Sequence, residues 1–290
     1  MLTNGVPLIG MAWRAVRDRF RAAGLDTPEL DARLLAQVAL GLDPLKLVAR
    51  ERDEISPDGL AKLQSLAARR LAGEPVARIL GHQEFYGLDF AVSAATLVPR
   101  PETEMLVDLA LEVGLRQAEP RFLDLGTGSG CIGIALLVNS AAATAVGVDL
   151  SGDALVAAKA NAQARQVADR FELRQGSWFT PLREGEKFDV IVSNPPYVES
   201  DIIDELSPEV RDFDPHLALD GGLDGLAAYR VIAAGAARWL KPGGWVIVET
   251  GSEQGLEAGA LFANAGFANV EIKKDIAGLD RVVVGHHVLG

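Results

Sequence analysis

A glycine-rich segment, Phe122-Leu123-Asp124-Leu125-Gly126-Thr127-Gly128-Ser129-Gly130-Cys131-Ile132-Gly133, gives the strongest indication of how the chain folds. Its first four residues belong to an apolar run that is typical of a buried strand. The glycines that follow allow the backbone to turn tightly and to approach a ligand closely at the N-terminus of a helix. The segment therefore predicts a strand–loop–helix unit that binds an adenosine-containing cofactor.

The loop alone does not identify the cofactor. Its glycines at 128, 130 and 133 satisfy the dinucleotide pattern G-x-G-x-x-G, and Asp149 follows about 20 residues later, where a carboxylate would accept both ribose hydroxyls. NAD and S-adenosylmethionine are both compatible with this spacing. Asp124 favours S-adenosylmethionine, because a carboxylate stabilises an ammonium and a sulfonium but repels a pyrophosphate.

The tetrapeptide Asn194-Pro195-Pro196-Tyr197 is the second informative motif. It follows an apolar run over residues 188–193, so it lies at the carboxyl end of a predicted strand, where open α/β sheets bind ligands. The prolines hold the backbone extended and donate no hydrogen bond. The Asn194 side-chain oxygen and the Pro195 carbonyl therefore remain as acceptors for a planar NH2 group, and Tyr197 offers a flat face. This arrangement is suited to activating an amide or an exocyclic amine.

From residue 121 onward, strand and helix patterns alternate, which predicts an α/β fold with a doubly wound parallel sheet. The predicted strands are 121–125, 144–149, 170–174, 187–193, 244–250, 268–274 and 280–286. The predicted helices are 130–139, 151–165, 223–239 and 253–265. Because no helix separates the last two strands, we expect one of them to run antiparallel.

The first part of the chain has a different pattern. Helices are predicted at 11–23, 28–40 and 57–71, the second carrying Leu30, Leu34, Val38 and Leu42 at helical spacing. We therefore expect a helical domain over 1–73 that docks a substrate rather than serving only as a structural cap, a connector with a β-hairpin around Gly87 over 74–98, and the α/β domain over 99–290. Arg100 is held rigidly between Pro99 and Pro101, and it either belongs to a loop that borders the cofactor or is a solvated residue at a helix entry.

Composition limits the classes of function. The chain has 290 residues, of which 49% are apolar and 23% charged, with a net charge of -12. Residues 1–82 contain 12 Lys and Arg against 10 Asp and Glu, a net charge of +2, whereas residues 83–290 contain 16 against 30, a net charge of -14. Direct nucleic-acid binding is not expected, because phosphate contacts require a basic surface.

The remaining composition points to a cytoplasmic protein. Cys131 is the only cysteine, so an internal disulfide and a cysteine-cluster metal site are excluded, and we interpret it as a small helix-packing residue. No apolar run is long enough for a membrane span, and residues 1–10 make a poor signal peptide. We expect no metal, no membrane association and a monomeric state.

Taken together, these motifs resemble those of the glutamine-specific methyltransferases of peptide chain release factors. The segments that carry the resemblance cover roughly residues 75–285 in the right order: Leu97-Val98-Pro99-Arg100-Pro101-Glu102-Thr103-Glu104, Asp124 to Gly133, Val148-Asp149-Leu150-Ser151, Asn194-Pro195-Pro196-Tyr197-Val198 and Leu217 to Leu226. The resemblance implies a class I methyltransferase domain that follows a helical domain and acts on the glutamine of a Gly-Gly-Gln loop. Its partners would be release factors.

The resemblance also implies the roles of individual residues. S-adenosylmethionine would be bound by Asp124, Gly126, Thr127, Gly128, Ser129, Gly130 and Asp149, with Trp178 beside the adenine and Asn194 contacting cofactor and substrate. Residues 194–197 would hold the glutamine carboxamide, with Asn194, Pro195 and Tyr197 catalytic. Ser177 departs from the family pattern, in which an aspartate often precedes the tryptophan. No general base is assigned.

Two other functions stay open at this point. A nucleic-acid amino-methyltransferase would present an adenine or guanine amine to the same tetrapeptide after flipping the base, although the charge of residues 83–290 disfavours it. A non-catalytic module that binds an adenosine cofactor is the other, and the intact Asn194-Pro195-Pro196-Tyr197 motif argues against it.

Overall fold

The structure is a computed structural model that describes residues 6–288. Residues 1–5 and 289–290 lie outside the described residues. The first group begins the expected helical domain and the segment 1–10, and the second ends the expected domain 99–290. The chain divides into two compact units. One contains the residues up to Gly81 together with Pro208–Phe213, and the other contains His82–Ser207 and the residues from Asp214 onward.

The first unit is helical. Its helices are α1 (Ile9–Ala22), α2 (Pro28–Leu40), α3 (Pro44–Ala49), α4 (Pro57–Leu71) and α5 (Val76–Leu80), with a further helical turn at Pro208–Arg211. The three predicted helices are confirmed, and α3 and α5 were not predicted. Proline in the first turn of α2, α3 and α4 supplies a backbone angle that suits a helix start.

The core of the helical unit is formed by α1, α2 and α4. Phe20, Leu35 and Leu63 are fully buried within it. On α2, the buried face is not the one that carries the predicted leucine and valine stripe, because Leu30 and Val38 are exposed. A neighbouring face carrying Leu35 and three alanines packs inward, since small side chains allow the helices to approach closely.

The second unit is built on a seven-stranded sheet. A separate hairpin, β1 (His82–Phe85) and β2 (Leu88–Ala91), precedes it, with a turn at Tyr86 and Gly87 in which both residues have positive φ. The sheet strands are β3 (Arg121–Leu125), β4 (Thr144–Asp149), β5 (Phe171–Gln175), β6 (Phe188–Ser193), β7 (Leu240–Glu249), β8 (Ala268–Lys274) and β9 (Asp280–His286). The predicted hairpin and all seven predicted strands are confirmed.

The strand order is β5-β4-β3-β6-β7-β9-β8. Strands β3 to β7 pair in parallel, and β9 runs antiparallel to both β7 and β8, as expected from the missing helix between the last two strands. The order reverses next to β3, so β3 and β6 form the topological switch point at which such sheets bind ligands. The strand order therefore places the glycine loop, which follows β3, and the tetrapeptide, which follows β6, at the same edge of the sheet.

Helices cover both faces of this sheet: α6 (Glu104–Gly114), α7 (Cys131–Asn139), α8 (Gly152–Ala164), α9 (Ala227–Trp239) and α10 (Gly255–Asn264). A 3-10 turn at Pro101–Thr103 leads into α6. The four predicted helices that follow are confirmed, but α9 begins at Ala227 rather than at 223. The preceding residues form a loop instead, in which the N–H of Gly221 donates to the carbonyl of Val198.

The central strands are buried on both sides. Phe122 faces one hydrophobic cluster and Leu123 the other, because successive side chains of a strand point to opposite faces. Gly133 allows α7 to pack closely on the sheet, since a Cβ atom at this position would lie 2.6 Å from the ring of Phe171. The third glycine of the fingerprint thus serves helix packing, and this packing fixes the N-terminus of α7 above β3.

Candidate active site

A cavity of about 590 Å³ opens at the carboxyl ends of β3, β4 and β6. Its volume is in the range of sites that hold a cofactor-sized molecule. Of the residues predicted to form the site, those that line it are Gly126, Thr127, Gly128, Ser129, Asp149, Trp178, Asn194 and Pro196. Asp124, Gly130, Pro195 and Tyr197 are not among its lining residues. The structure thus brings four of the predicted loop residues and two of the four tetrapeptide residues to a single cavity.

The glycine loop has the backbone conformation that its sequence predicts. Gly126, Gly128 and Gly130 have φ angles of 70°, 55° and 80°, in the left-handed region that other residues rarely adopt. α7 begins directly after Gly130, which has no side chain to cap the helix. The N-terminus of α7 lies at the end of the loop, an arrangement that is common in sites for charged ligands.

Asp124 supports the loop from beneath. It is fully buried, and its Oδ2 atom accepts hydrogen bonds from the Thr127 hydroxyl at 2.6 Å and the Gly133 N–H at 3.1 Å. Burial raises the pKa of Asp124 to about 6. Its Oδ1 atom is buried without a hydrogen-bond partner among residues 6–288. An unpaired carboxylate oxygen behind the loop is consistent with a cationic ligand group.

Asp149 joins the second strand of the site to the loop. Its Oδ2 atom accepts from the Gly128 N–H at 2.8 Å, and its Oδ1 atom accepts from the Ser151 N–H at 2.9 Å. Each carboxylate oxygen keeps a further lone pair. Because Asp149 also lines the cavity, it can accept hydrogen bonds from a diol such as ribose.

Trp178 borders the cavity in a strained backbone conformation. Its φ angle is 49°, which is uncommon for a bulky residue and often marks a functional site. Ser177 precedes it in the lining, and its N–H donates to the Thr180 hydroxyl at 3.0 Å. The turn is thus held locally, and the indole is presented to the cavity without help from an aspartate at position 177.

The tetrapeptide 194–197 follows β6 directly. The Ser193 hydroxyl donates to the Leu125 carbonyl at 2.7 Å, which ties the ends of β6 and β3 together. Asn194 and Pro196 face the cavity, whereas Pro195 is buried and Tyr197 packs against the core. Burial raises the pKa of Tyr197 to about 12, so its phenol is uncharged at neutral pH.

Two residues that the sequence did not single out for the site lie behind Asn194. The Asn194 Nδ2 atom donates to the Thr103 hydroxyl at 3.1 Å, and that hydroxyl donates to Glu249 Oε2 at 2.6 Å. Burial raises the pKa of Glu249 to about 7. A signal for Glu249 was available, because it ends an apolar strand as Asp149 does. Nothing in the sequence paired it with Thr103, which lies 146 residues away.

Between residues 6 and 288, no group of three or more His, Cys, Asp or Glu residues is arranged to hold a metal ion. None of the helices within this range is both long and apolar enough to cross a membrane.

The sheet order, the glycine loop and the carboxylate at the end of β4 define a class I methyltransferase, whose cofactor is S-adenosylmethionine. Family profiles agree: one described as "PrmC N-terminal domain" matches residues 11–81, and one described as "Methyltransferase domain" matches residues 117–280. A methyltransferase from Pyrococcus furiosus shares the fold, with a TM-score of 0.53 at 17% identity over 78% of this chain and 100% of that one.

Curated relatives identify the family within this class. The release factor glutamine methyltransferase of Agrobacterium fabrum is 46% identical over 93% of this chain and 94% of its own length. That of Bradyrhizobium diazoefficiens is 47% identical over 95% of this chain and 93% of its own length. The chain belongs to the release factor glutamine methyltransferase family, which confirms the resemblance found in its sequence.

Proposed function

We propose that this protein transfers a methyl group from S-adenosylmethionine to the side-chain amide nitrogen of the glutamine in the Gly-Gly-Gln motif of peptide chain release factors. One observation carries the proposal: Asn194 and the glycine loop line the same cavity. A hydrogen-bond acceptor for the substrate amide would therefore lie beside the bound cofactor. The family membership of the chain supports the choice of a protein glutamine over a nucleobase.

Different residues of the cavity would contact different parts of the cofactor. Gly126 to Ser129 and the N-terminus of α7 would surround the cofactor, Asp149 would accept its ribose hydroxyls, and Trp178 would lie beside its adenine. Asp124 would act on the cofactor's charge from behind the loop. Bound S-adenosylmethionine supplies an electrophilic methyl group on a sulfonium.

The tetrapeptide would activate the acceptor. A carboxamide nitrogen is a weak nucleophile, because its lone pair is delocalised into the carbonyl group. Hydrogen bonds from its N–H groups to Asn194 Oδ1 and the Pro195 carbonyl oxygen would return electron density to nitrogen. The hydrogen bond from Asn194 Nδ2 to Thr103 holds this side chain in place before the substrate binds, so its Oδ1 atom would stabilise the positive charge that develops on nitrogen during transfer. Alignment of the two reacting groups supplies the remaining acceleration.

The helical unit would dock the release factor. It carries leucine and valine side chains that are exposed, including Leu30, Leu45 and Val48 with exposed fractions of 57%, 79% and 57%. Exposed apolar side chains of this size suit a protein partner better than a nucleic acid. The protein would act as a monomer in the cytoplasm, where translation terminates, without binding nucleic acid directly.

The test is a methyl-transfer assay with a purified release factor, total RNA and DNA offered in parallel. We expect one methyl group on the glutamine of the Gly-Gly-Gln motif, located by peptide mapping. A release factor in which this glutamine is replaced by asparagine is the matched control and should stay unlabelled. Label found only in RNA or DNA would overturn the proposal.

A further inference from the structure

Three side chains from separate elements form a chain of hydrogen bonds that ends at the cavity. Asn194 follows β6, Thr103 closes the 3-10 turn before α6, and Glu249 is the last residue of β7. Thr103 and Glu249 are 1% and 2% exposed, and only Asn194 and Thr103 line the cavity. Water therefore has little access to the far end of this chain.

The proton of the Thr103 hydroxyl gives the chain a direction. A hydroxyl carries one proton, and the proton of Thr103 is donated to the Glu249 carboxylate at 2.6 Å. The same oxygen can then only accept on its other side, so it must meet the NH2 group of Asn194 rather than the amide oxygen. This proton balance leaves Asn194 Oδ1 as the atom available to a ligand.

A free asparagine would have no such preference, because its oxygen and its NH2 group are almost equal in size. If the NH2 group faced the cavity, it would repel the N–H groups of an incoming carboxamide. The direction of the Asn194 amide is therefore as important for the reaction as its position.

We propose that Glu249, acting through Thr103, orients the Asn194 amide so that its Oδ1 atom accepts from the substrate amide. Thr103 and Glu249 are thus positioning residues, and Asn194 is the residue that contacts substrate. The inference rests on the proposed function, because it concerns the acceptor for the same carboxamide. It assigns a role to two buried residues that the proposed binding of cofactor and substrate does not otherwise use.

The surroundings of Glu249 fit this role. Burial raises its pKa to about 7, and the charge of Glu102 raises it further. Hydrogen bonds from the side chains of Thr103 and Asn194 and the charge of Arg281 lower it. The Tyr229 hydroxyl donates to the backbone carbonyl of Glu249 at 3.1 Å and so fixes the end of β7. The carboxylate is held in one position and is available as an ionised acceptor at and above neutral pH.

Thr250, which follows Glu249 in the sequence, provides a matched control. Thr250 is fully buried, as Thr103 nearly is, but its hydroxyl has no hydrogen-bond partner in the described range 6–288. Thr103→Val and Thr250→Val therefore make the same chemical change at two buried sites. Only Thr103→Val interrupts the hydrogen bonds that connect Glu249 to Asn194, and Thr103→Ser should restore them.

The first measurement is steady-state methylation of a release factor at saturating S-adenosylmethionine. We expect Thr103→Val to lower kcat about tenfold, the effect of losing one well-placed hydrogen bond, with the affinity for the cofactor unchanged. Thr103→Ser should recover most of the rate, and Thr250→Val should equal the parent. A Thr103→Val enzyme with the parent's kcat would overturn the proposal.

The second measurement does not depend on any acceptor. The side-chain NH2 resonances of Asn194 in a 15N-labelled protein can be assigned by their loss in Asn194→Ala. We expect them to shift in Thr103→Val and in Glu249→Gln, and to stay in place in Thr250→Val. Unchanged Asn194 resonances in Glu249→Gln would overturn the proposal even where Thr103→Val does not fold. A parent enzyme that leaves release factors unmethylated would refute only the proposed function, because the resonances still report the orientation.

Discussion

The N–H of Gly128 donates a 2.8 Å hydrogen bond to Asp149 Oδ2, which links the glycine loop to the end of β4. One carboxylate thus shapes the loop and also faces the cavity. Asp149→Ala should lower the affinity for S-adenosylmethionine by at least about tenfold, because each charge-assisted hydrogen bond contributes roughly 1.5 to 3 kcal/mol. Calorimetry measures this directly. Asp169→Ala, at an exposed site, is the control. Equal affinities for the two variants would refute the assignment to the ribose.

Substitution of Asn194 should affect methyl transfer but not cofactor binding. If its Oδ1 atom stabilises charge that develops on the substrate nitrogen, its contribution is largest in the transition state. Asn194→Ala should then slow methylation about a hundredfold, as loss of a preorganised hydrogen bond at a reacting centre does. Cofactor affinity should stay close to that of the parent. Asn194→Asp keeps an acceptor of the same size and should retain more activity than alanine. Normal turnover by the alanine variant would reduce the tetrapeptide to a strand terminator.

The raised pKa of Glu249 predicts that pH has opposite effects on activity and on stability. This pKa is raised from 4.5 to about 7, and the ionised form is the one that accepts from Thr103. At saturating cofactor, kcat should therefore fall as the pH decreases through about 7. Because the folded pKa is raised, this group's contribution to stability is complete below pH 4.5 and is lost as the pH rises through about 7.

Glu249→Gln is the test of this assignment. The variant should show no transition in kcat near pH 7. The difference between its unfolding free energy and that of the parent should increase as the pH rises. Arg281 and Glu102 also act on Glu249 and are unchanged in the variant. A transition that persists in Glu249→Gln belongs to another group, and Asp124, with a pKa of about 6, would be the next to examine.

Docking by the helical unit can be tested without removing it. Leu30→Ser combined with Leu45→Ser makes two exposed apolar positions polar. We expect KM for an intact release factor to rise about tenfold, which corresponds to roughly 1.4 kcal/mol, while the rate with a short Gly-Gly-Gln peptide stays the same. Leu256→Ser, at a leucine of the other unit with 76% exposure, is the control. An unchanged KM for the double variant would exclude this surface as the docking site.

Arg70 is expected to stabilise the helical unit. Its buried guanidinium binds Asp31 at 2.7 Å and Glu209 at 2.6 Å, and so attaches a distant segment of the chain to α4. Arg70→Ala would leave Asp31 buried and unpaired, which should cost about 3 kcal/mol or more of unfolding free energy. Arg69→Ala removes an adjacent, exposed ion pair with Glu74 and should cost less than about 1 kcal/mol. Denaturant unfolding that ranks the two variants equally would contradict this account.

The sequence predicted the parts of the fold that depend on local pattern. Central strands such as β6 were predicted because a strand buried on both faces leaves a continuous apolar signal. This reason does not extend to β8, which lies at the edge of the sheet and has no buried residue. The start of α9 was predicted at 223, whereas hydrogen bonds of the preceding loop to Val198, more than 20 residues away, delay it to Ala227. The assignment of Pro208–Phe213 to the helical unit has no local signal either.

The same distinction holds within the site. The glycine loop and the tetrapeptide were predicted because each motif is contiguous in sequence. The direction of the Asn194 amide depends on Thr103 and Glu249, which come from two other parts of the chain. Asp124 was predicted beside the cofactor, and only the packed structure reveals that it lies beneath the loop, outside the cavity lining.

Cys131, the single cysteine of the chain, is buried at the start of α7, and burial raises the pKa of its thiol to about 12. A protonated, buried thiol is a poor target for oxidants and alkylating reagents. Disulfide cross-linking through Cys131 is therefore not expected in non-reducing buffers. A fluorophore or spin label could be attached to a cysteine introduced at the exposed Gln64 without first replacing the native one. Binding of a release factor could then be followed through the label without altering the leucines proposed for docking.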